Sequence, residues 1–194
     1  MSAQGRQTLR LSLWFKAMAL CTLLSLPCQS LVADSFSDRR ALVGIKLFRT
    51  LISADLQLAE KQSANGSLSI YFVYATDMEL AREHLQQWQK NTAAIQQIET
   101  TATVISLQEY YRTQPLPTAV FISQKLNSAE LDEFIEYSHN KKIITFSPYA
   151  GDVQAGVLAG ISVAATIKPL INTATLRTSE LSIKDFYLKV AKQL

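Results

Sequence analysis

Cysteine is scarce in this sequence, and both copies fall near its N-terminus. Cys21 and Cys28 are the only cysteines among the 194 residues. A domain that begins after Ala33 therefore has no thiol for a disulfide, a metal site or nucleophilic catalysis. Such a domain has to be stabilised by its hydrophobic core, and the chain is long enough to form one.

An excess of charge of one sign is also lacking outside the N-terminal segment. The whole chain has 19 basic and 16 acidic residues, which gives a net charge of +3. Arg6, Arg10 and Lys16 are the only charged residues in 1–33, so the remainder has 16 charges of each sign and is neutral. Nucleic-acid binding requires a basic surface on the domain, and we therefore exclude nucleic acid as a partner.

The apolar run at 17–26 is too short for a spanning helix, which needs about 20 residues. Basic residues precede this run, and Pro27 and then Leu31-Val-Ala33 follow it. This layout predicts a signal peptide over 1–33, cleaved after Ala33, and hence an exported protein. An uncleaved membrane anchor is the alternative, because apolar residues from Leu11 onward would lengthen the stretch.

The remainder of the chain, 34–194, alternates between strand-like and helix-like patterns, which predicts a single α/β domain. The predicted strands are rich in β-branched and aromatic residues and lie at 68–75, 101–106, 118–123 and 143–146. Helical patterns separate them, which predicts a three-layer sandwich around an open, mostly parallel sheet of about four to six strands.

In the last 40 or so residues, two extended segments follow each other without a long helix between them. Extended segments at 156–163 and 167–171 are close enough in sequence to predict a β-hairpin, with Pro169 on an edge or a bulge. Residues 182–194 then predict a closing helix capped by Ser182. Its expected buried face contains Ile183, Phe186, Tyr187, Val190, Ala191 and Leu194.

Polar residues follow several of the predicted strands, where α/β sheets bind their ligands. Thr76 and Asp77 come after the strand at 68–75, and Ser147, Tyr149 and Asp152 come after the strand at 143–146. Asn172 ends the edge strand, where its amide would bind backbone groups. These six residues are the candidate ligand- or partner-binding site; plain helix capping or turn formation is the alternative for Asp77 and Asn172.

Two motifs that suggest catalysis fail on inspection. Gly151 and Gly156 have the spacing of a phosphate loop, but Val157 and Leu158 stand where lysine and a hydroxyl residue are needed. Ser162 follows a glycine as in a nucleophile elbow, yet no histidine follows it in the chain. We therefore predict no catalytic residue, no metal site and no cofactor, and expect that the protein is not an enzyme.

The domain at 34–194 resembles the YfiR-like family, most clearly from Thr145 to Ala191 and more faintly from Ala41 to Ile122. The resemblance rests on a serine-containing loop after the strand at 143–146, the glycines Gly156 and Gly160, the edge strand closing on Ile171-Asn172, the Ala174-Thr-Leu176 segment, and the predicted helix at 181–191. It implies a non-enzymatic α/β domain in the periplasm. The best-known role in that family is to restrain a membrane-bound diguanylate cyclase through the periplasmic sensor domain of that enzyme.

Two functional hypotheses follow. The first is a regulatory adaptor that binds a membrane-anchored sensor or cyclase and so acts in cyclic-di-GMP signalling, as the resemblance implies. The alternative is a periplasmic small-solute-binding protein, since Ser147, Tyr149 and Asp152 would line a crevice beyond a strand end. The sequence leaves open whether the domain forms a homodimer.

Overall fold

Helices and strands alternate along the chain in a computed structural model that describes residues 30–194, with side chains from residue 39 onward. Residues 1–29, which include most of the predicted signal peptide, lie outside the described residues, and the signal peptide stays a prediction. Residues Asp38–Leu194 form one compact unit. In the part of the chain that the structure describes, no helix is both long and apolar enough to cross a membrane.

The elements in chain order are α1 (Ser30–Ser53), a 3₁₀ turn (Leu58–Lys61), β1 (Leu68–Tyr74), α2 (Met78–Gln89), β2 (Ala94–Ile95), β3 (Ile98–Ser106), α3 (Leu107–Tyr110), β4 (Ala119–Ile122), α4 (Ser128–Asn140), β5 (Ile144–Ser147), α5 (Asp152–Ala155), β6 (Ala159–Val163), β7 (Ile167–Ile171), α6 (Thr173–Thr178), α7 (Asp185–Val190) and β8 (Lys192–Gln193).

The strands form one sheet in the order β2-β3-β1-β4-β5-β6-β7-β8. The five strands from β3 to β6 in this order are parallel to each other, whereas β2 and β7 run antiparallel to their neighbours β3 and β6. The predicted α/β class, the open and mostly parallel sheet and the C-terminal hairpin are therefore confirmed. The sheet has eight strands because β2 and β8, of two residues each, extend its edges.

Successive side chains of the central strands point to opposite faces of the sheet, and they form two apolar clusters, one on each face. Phe72 and Phe121 face Phe48 of α1 and Trp88 of α2, with ring centroids 5.4–6.0 Å apart. Their strand neighbours, such as Val73 and Val120, belong to the second cluster, which contains Phe134 of α4 and Tyr110 of α3. Helices therefore cover both faces, as the three-layer prediction required.

The predicted closing helix is wrong in length and in part of its buried face. The helix α7 has six residues, its N-cap is Lys184 instead of Ser182, and the chain turns extended at Ala191. The chain then forms β8, and Leu194, the residue after this strand, donates its amide to the Ile171 carbonyl at 2.9 Å. Within α7, Tyr187 is buried, whereas Phe186 and Val190 are more than half exposed.

Pro169 lies at a position of β7 where a residue without a backbone N–H costs no hydrogen bond. In β7 it pairs in register with Ile161 of β6 on one side. On the other side β8 pairs only with Leu170 and Ile171. The position beside Pro169 on that side is therefore an open edge, and the missing N–H of proline removes no ladder hydrogen bond there. The predicted edge placement of Pro169 is confirmed.

Candidate functional site at the carboxyl ends of the parallel strands

The chain changes its direction of winding beside β1. From β1 it proceeds through α2 to β3 on one side, and from β3 it returns across β1 to β4 on the other side. In open α/β sheets, the crevice at such a switch point, beyond the carboxyl ends of the strands, is the usual ligand site. The segments that meet there begin at Thr76, at Ser123 and at Ser106.

Thr76 and Asp77 are held by one side chain, that of Gln124 after β4. The Gln124 carbonyl oxygen accepts hydrogen bonds from the backbone amides of Thr76 at 3.0 Å and Asp77 at 2.6 Å. Its amide nitrogen donates to the Thr76 hydroxyl at 3.1 Å. The Asp77 carboxylate accepts from the Leu80 amide at 3.0 Å and caps α2. Each of these groups therefore has a partner within the protein.

Ser147 and Asp152 form a buried polar cluster together with Lys125. The Ser147 hydroxyl donates to one Asp152 oxygen at 2.6 Å, and both side chains are fully buried. The Lys125 ammonium donates to the other Asp152 oxygen and, at 3.0 Å, to the Ala150 carbonyl. This cluster, called the Asp152 clip below, joins the loop after β4 to the loop after β5.

Tyr149 completes the contact between these two loops. Its hydroxyl donates to the Ser123 carbonyl at 2.6 Å, and its backbone amide donates to the Ser147 hydroxyl at 3.1 Å. Burial, and then the negative charges of Asp152 and Asp77, raise the pKa of Tyr149, so its phenol stays neutral at physiological pH. The exposed part of the ring lines a small cleft of about 240 Å³ beside Arg40.

Asn172 has a local role. Its side-chain oxygen accepts from the Thr175 amide at 3.0 Å and caps α6, and its side-chain nitrogen donates to the Val153 carbonyl at 2.8 Å. Its backbone amide donates to the Leu158 carbonyl at 2.9 Å. These bonds fix the turn from β7 into α6. The structure thus brings Thr76 and Asp77 together, and Ser147, Tyr149 and Asp152 together, whereas Asn172 bonds to other segments.

Open space lies on the other side of β1, next to the end of β3. This space, called the tyrosine cleft below, has a volume of about 430 Å³. It is lined by Tyr74 and Ala75 at the end of β1, by Ser106, Leu107, Gln108 and Tyr111 around α3, and by Glu130 and Glu133 of α4. None of the six site residues predicted from the sequence lines this cleft.

One sequence signal marks the wall of the tyrosine cleft. Ser106-Leu-Gln-Glu109 has the spacing of a capping box, and the structure contains both of its bonds. A strand that ends in a capping box predicts a sharp turn at the carboxyl edge of the sheet. That turn places Ser106 and the first residues of α3 against the end of β1.

A larger cleft, of about 590 Å³, lies elsewhere. It is lined by α1 residues including Lys46 and Arg49, by Gln87 and Asn91 at the end of α2, and by β2. Because α2 leads from the carboxyl end of β1 back to the amino end of β3, this cleft belongs to the opposite end of the sheet from the switch point. At the switch point itself, between β1 and β4, Gln124 bridges the two loops. We place the candidate site at the tyrosine cleft despite its smaller volume, because it lies at the carboxyl ends of β1 and β3, the end of the sheet at which open α/β folds bind ligands.

Metal ligands are not clustered near either cleft. Among the described residues, no group of three or more His, Cys, Asp or Glu side chains is placed to hold a metal ion. His84, on the buried face of α2, has its ring edge toward Phe121 with centroids 5.5 Å apart.

No family model matches this chain, and no curated protein sequence matches it. Solved structures are similar in fold. One is the ABC domain from Streptococcus pneumonia in complex with L-Trp, with a TM-score of 0.52, 13% identity, and coverage of 79% of this chain and 59% of that one. Another is a ligand-free, open substrate binding protein with adhesive properties from Clostridium difficile, with a TM-score of 0.50, 11% identity, and coverage of 72% and 59%. The chain therefore shares its fold with these two proteins and spans 59% of the length of each.

Proposed function

We propose that this protein binds a small solute in the tyrosine cleft. The observation that carries the proposal is an open volume of about 430 Å³ at the carboxyl ends of β1 and β3. That volume is within the usual range for ligand sites, about 300–1,000 Å³. The walls combine aromatic faces with a few polar groups, the combination that fixes the orientation of a small ligand.

The fold comparison supports the same proposal. The two similar structures are described as a substrate binding protein and as a domain bound to L-Trp. At 13% and 11% identity these likenesses concern the fold, and the ligand of neither protein transfers to this chain. The proposal therefore rests on the cleft, and the comparison adds that the same fold serves proteins that bind small molecules.

A ligand screen with a blocked-cleft variant tests the proposal. Ala75 lines the cleft, whereas Ala129 is exposed on α4 and is not among the lining residues. We expect a ligand at about 100 times its Kd to stabilise the protein by about 2.7 kcal/mol. In a protein of this size that raises the Tm by roughly 5–11 °C. Ala75→Phe should abolish the shift, and Ala129→Phe should preserve it.

Two results would contradict solute binding in this cleft. One is the absence of any concentration-dependent stabilisation across amines, amino acids, sugars, carboxylates and nucleosides. The other is a shift of equal size in the Ala75→Phe variant, which would place the ligand elsewhere on the protein.

A regulatory adaptor of the YfiR-like kind is a second candidate, favoured by the exposed surface near the C-terminus. Among the described residues, five of the eight large hydrophobic side chains that are exposed fall in the last 32 positions. They are Val163, Ile167, Phe186, Val190 and Leu194. Exposed apolar side chains concentrated in one part of the chain suit a protein interface. The partner under this proposal is a membrane-anchored sensor or diguanylate cyclase, and the protein acts in the periplasm without catalysis.

Crosslinking in cells tests the adaptor proposal. Ile167→Glu adds a charge to the exposed apolar surface, and Thr101→Glu adds the same charge to an exposed position of β3 at the other side of the sheet. We expect Ile167→Glu to abolish crosslinks to the sensor and to raise cyclic-di-GMP, and Thr101→Glu to do neither. Unchanged cyclic-di-GMP after deletion of the protein would count against the adaptor.

A further inference from the structure

Negative charge dominates the walls of the tyrosine cleft. Glu130 and Glu133 line it directly, and Glu109 lies next to it, where its carboxylate accepts a hydrogen bond from the Ser106 hydroxyl at 2.7 Å. Of the described residues that line the cleft, none is lysine or arginine. The domain as a whole is neutral, so this local excess of carboxylates is a property of the cleft and does not reflect an acidic protein.

The helix α4 opposes this charge only in part. Its N-terminus carries a partial positive charge of roughly half an elementary unit near the cleft. Glu130 already neutralises that end, because its carboxylate accepts from the Asn127 amide at 3.0 Å in a capping box. Glu133 lies one turn further along α4 and has an exposed side chain. The charge of Glu133 is therefore not offset by the helix N-terminus, although solvent screens it in part.

Aromatic faces provide the second element of the cleft. Tyr74 and Tyr111 both line it, and the Tyr111 ring is braced by Tyr110 and Tyr137, with centroids 5.6 Å and 5.2 Å away. Ring faces attract cations through their quadrupole, by about 0.5–2 kcal/mol depending on solvent exposure. A braced ring presents its face without the entropic cost of ordering a mobile side chain.

The Tyr111 phenol is neutral, so it adds no charge to the cleft. Burial, and then the charges of Glu133 and Glu130, raise the pKa of Tyr111. Its hydroxyl oxygen is inaccessible to solvent and has no hydrogen-bond partner among the described residues. The ring, and not the hydroxyl, is therefore the part of Tyr111 that a ligand in the cleft would contact.

We infer that the ligand of the tyrosine cleft is a small organic ammonium ion, bound between Tyr74, Tyr111 and Glu133. This inference rests on the proposed solute-binding function and specifies its ligand class. The carboxylate neutralises the charge of the ammonium group, and the two tyrosine rings contact its alkyl part. Carboxylate and phosphate ligands are excluded from the cleft by the same charges.

Titration calorimetry on the purified protein at low salt tests this ligand class. The probes are choline, its neutral carbon analogue 3,3-dimethylbutan-1-ol, and ethanolamine as its ammonium ion. We expect the neutral analogue to bind at least about tenfold more weakly than choline, which corresponds to about 1.4 kcal/mol. Because the choline contact is electrostatic, its affinity should fall as salt is raised from about 0.01 M to 1 M.

Two pairs of variants locate the contact. Glu133→Gln and Glu136→Gln make the same change of charge on α4, but only Glu133 lines the cleft. We expect Glu133→Gln to lower the affinity for choline about fivefold or more, as loss of roughly 1 kcal/mol implies. Glu136→Gln should lower the affinity by no more than a rise in salt concentration does, because it changes only the overall charge. Tyr111→Ala removes the ring and should weaken the binding of choline about twofold or more, as loss of at least about 0.5 kcal/mol implies, whereas Tyr111→Phe keeps the ring and should preserve it.

The outcomes separate this inference from the proposed function. Stabilisation by a neutral or anionic solute that disappears in the Ala75→Phe variant would overturn the ammonium class and leave solute binding intact. Choline binding that is equally weakened by Glu133→Gln and Glu136→Gln would show diffuse attraction, and it would also overturn the inference. Absence of any ligand that responds to Ala75→Phe would overturn both.

Discussion

The Asp152 clip allows the sharpest test of the structure, through the substitution Asp152→Asn. This change removes the negative charge and keeps the shape of the side chain. Asp152 is fully buried, whereas the Lys125 side chain is 51% exposed. The lysine can therefore turn into water when its partner is lost, and the cost of the substitution falls mainly on the groups that remain buried.

The size of that cost follows from two contributions. The Ser147 hydrogen bond changes from one with a charged acceptor, about 1.5–3 kcal/mol, to a neutral one of about 0.5–1.5 kcal/mol. The new amide also places an N–H₂ group where the Lys125 ammonium was, and a buried donor without an acceptor costs about 1–3 kcal/mol. We therefore expect a loss of about 2–4 kcal/mol, which would lower the Tm by roughly 4–16 °C.

Urea denaturation followed by circular dichroism measures this loss. Asp132→Asn is the matched control, since Asp132 is exposed on α4, and it should change stability by less than about 0.5 kcal/mol. The double variant Asp152→Asn, Lys125→Met should cost less than the sum of its single substitutions, because the two side chains contact each other. A loss below about 0.5 kcal/mol for Asp152→Asn, or strict additivity in the cycle, would refute the clip.

Three further predictions concern other parts of the fold. Gly160→Ala would place its Cβ 2.5 Å from a carbonyl oxygen of β5, and we expect a loss of about 1–3 kcal/mol in urea denaturation. The hydroxyls of Tyr110 and Ser138 are 2.8 Å apart in the core, so Tyr110→Phe should cost about 1–1.5 kcal/mol, and Ser138→Ala, which leaves the phenol unpaired, at least as much. Hydrogen bonds from Ser106 lower the pKa of Glu109, so Ser106→Ala should raise that pKa, as measured in an NMR titration. The stability that the lowered pKa contributes is present above about pH 4.3, the usual pKa of a glutamate. It is lost as the pH falls through the pKa of Glu109 in the folded protein.

The features that the sequence predicted correctly depend on neighbouring residues. The strand predicted at 68–75 is β1, because a run of β-branched and aromatic residues identifies a strand buried on both faces. Asp77 caps α2, which was the alternative expected for this residue because a helical period follows it. In each case the determining groups lie within a few residues of each other, and a local pattern was sufficient.

The features that the sequence failed to predict depend on distant segments. Residues 182–194 have a helical period, yet the chain leaves the helix at Ala191 because the edge of β7 offers backbone partners to β8. Phe186 and Val190 of the short helix that remains are exposed. Pairing across the sheet depends on the positions of strands far apart in sequence, and periodicity alone does not contain that information.

The candidate site also combines features that depend on neighbouring residues with features that depend on distant segments. Residues after β1 and β5 were expected to line a crevice because they follow strands, and they do lie at the carboxyl edge. Their polar groups instead bond to residues after β4, which are Gln124 in one case and Lys125 in the other. These bonds join the loops that follow β1, β4 and β5. Spacing in the sequence identifies which residues reach the edge, but the contacts between loops determine whether space for a ligand remains.

Space remains beside β1 and β3 because of the connection that crosses there. The chain returns from β3 to β4 across β1, and it does so through α3, a single helical turn, whereas the neighbouring connection from β4 to β5 contains the 13-residue helix α4. One turn cannot cover the end of β1 as a long helix would. Tyr111, directly after α3, instead forms one wall of the cleft, and Glu133 of α4 forms the facing one. The short crossover thus leaves the space that we propose as the ligand site, and the side chains of Tyr111 and Glu133 that border it would favour a positively charged ligand.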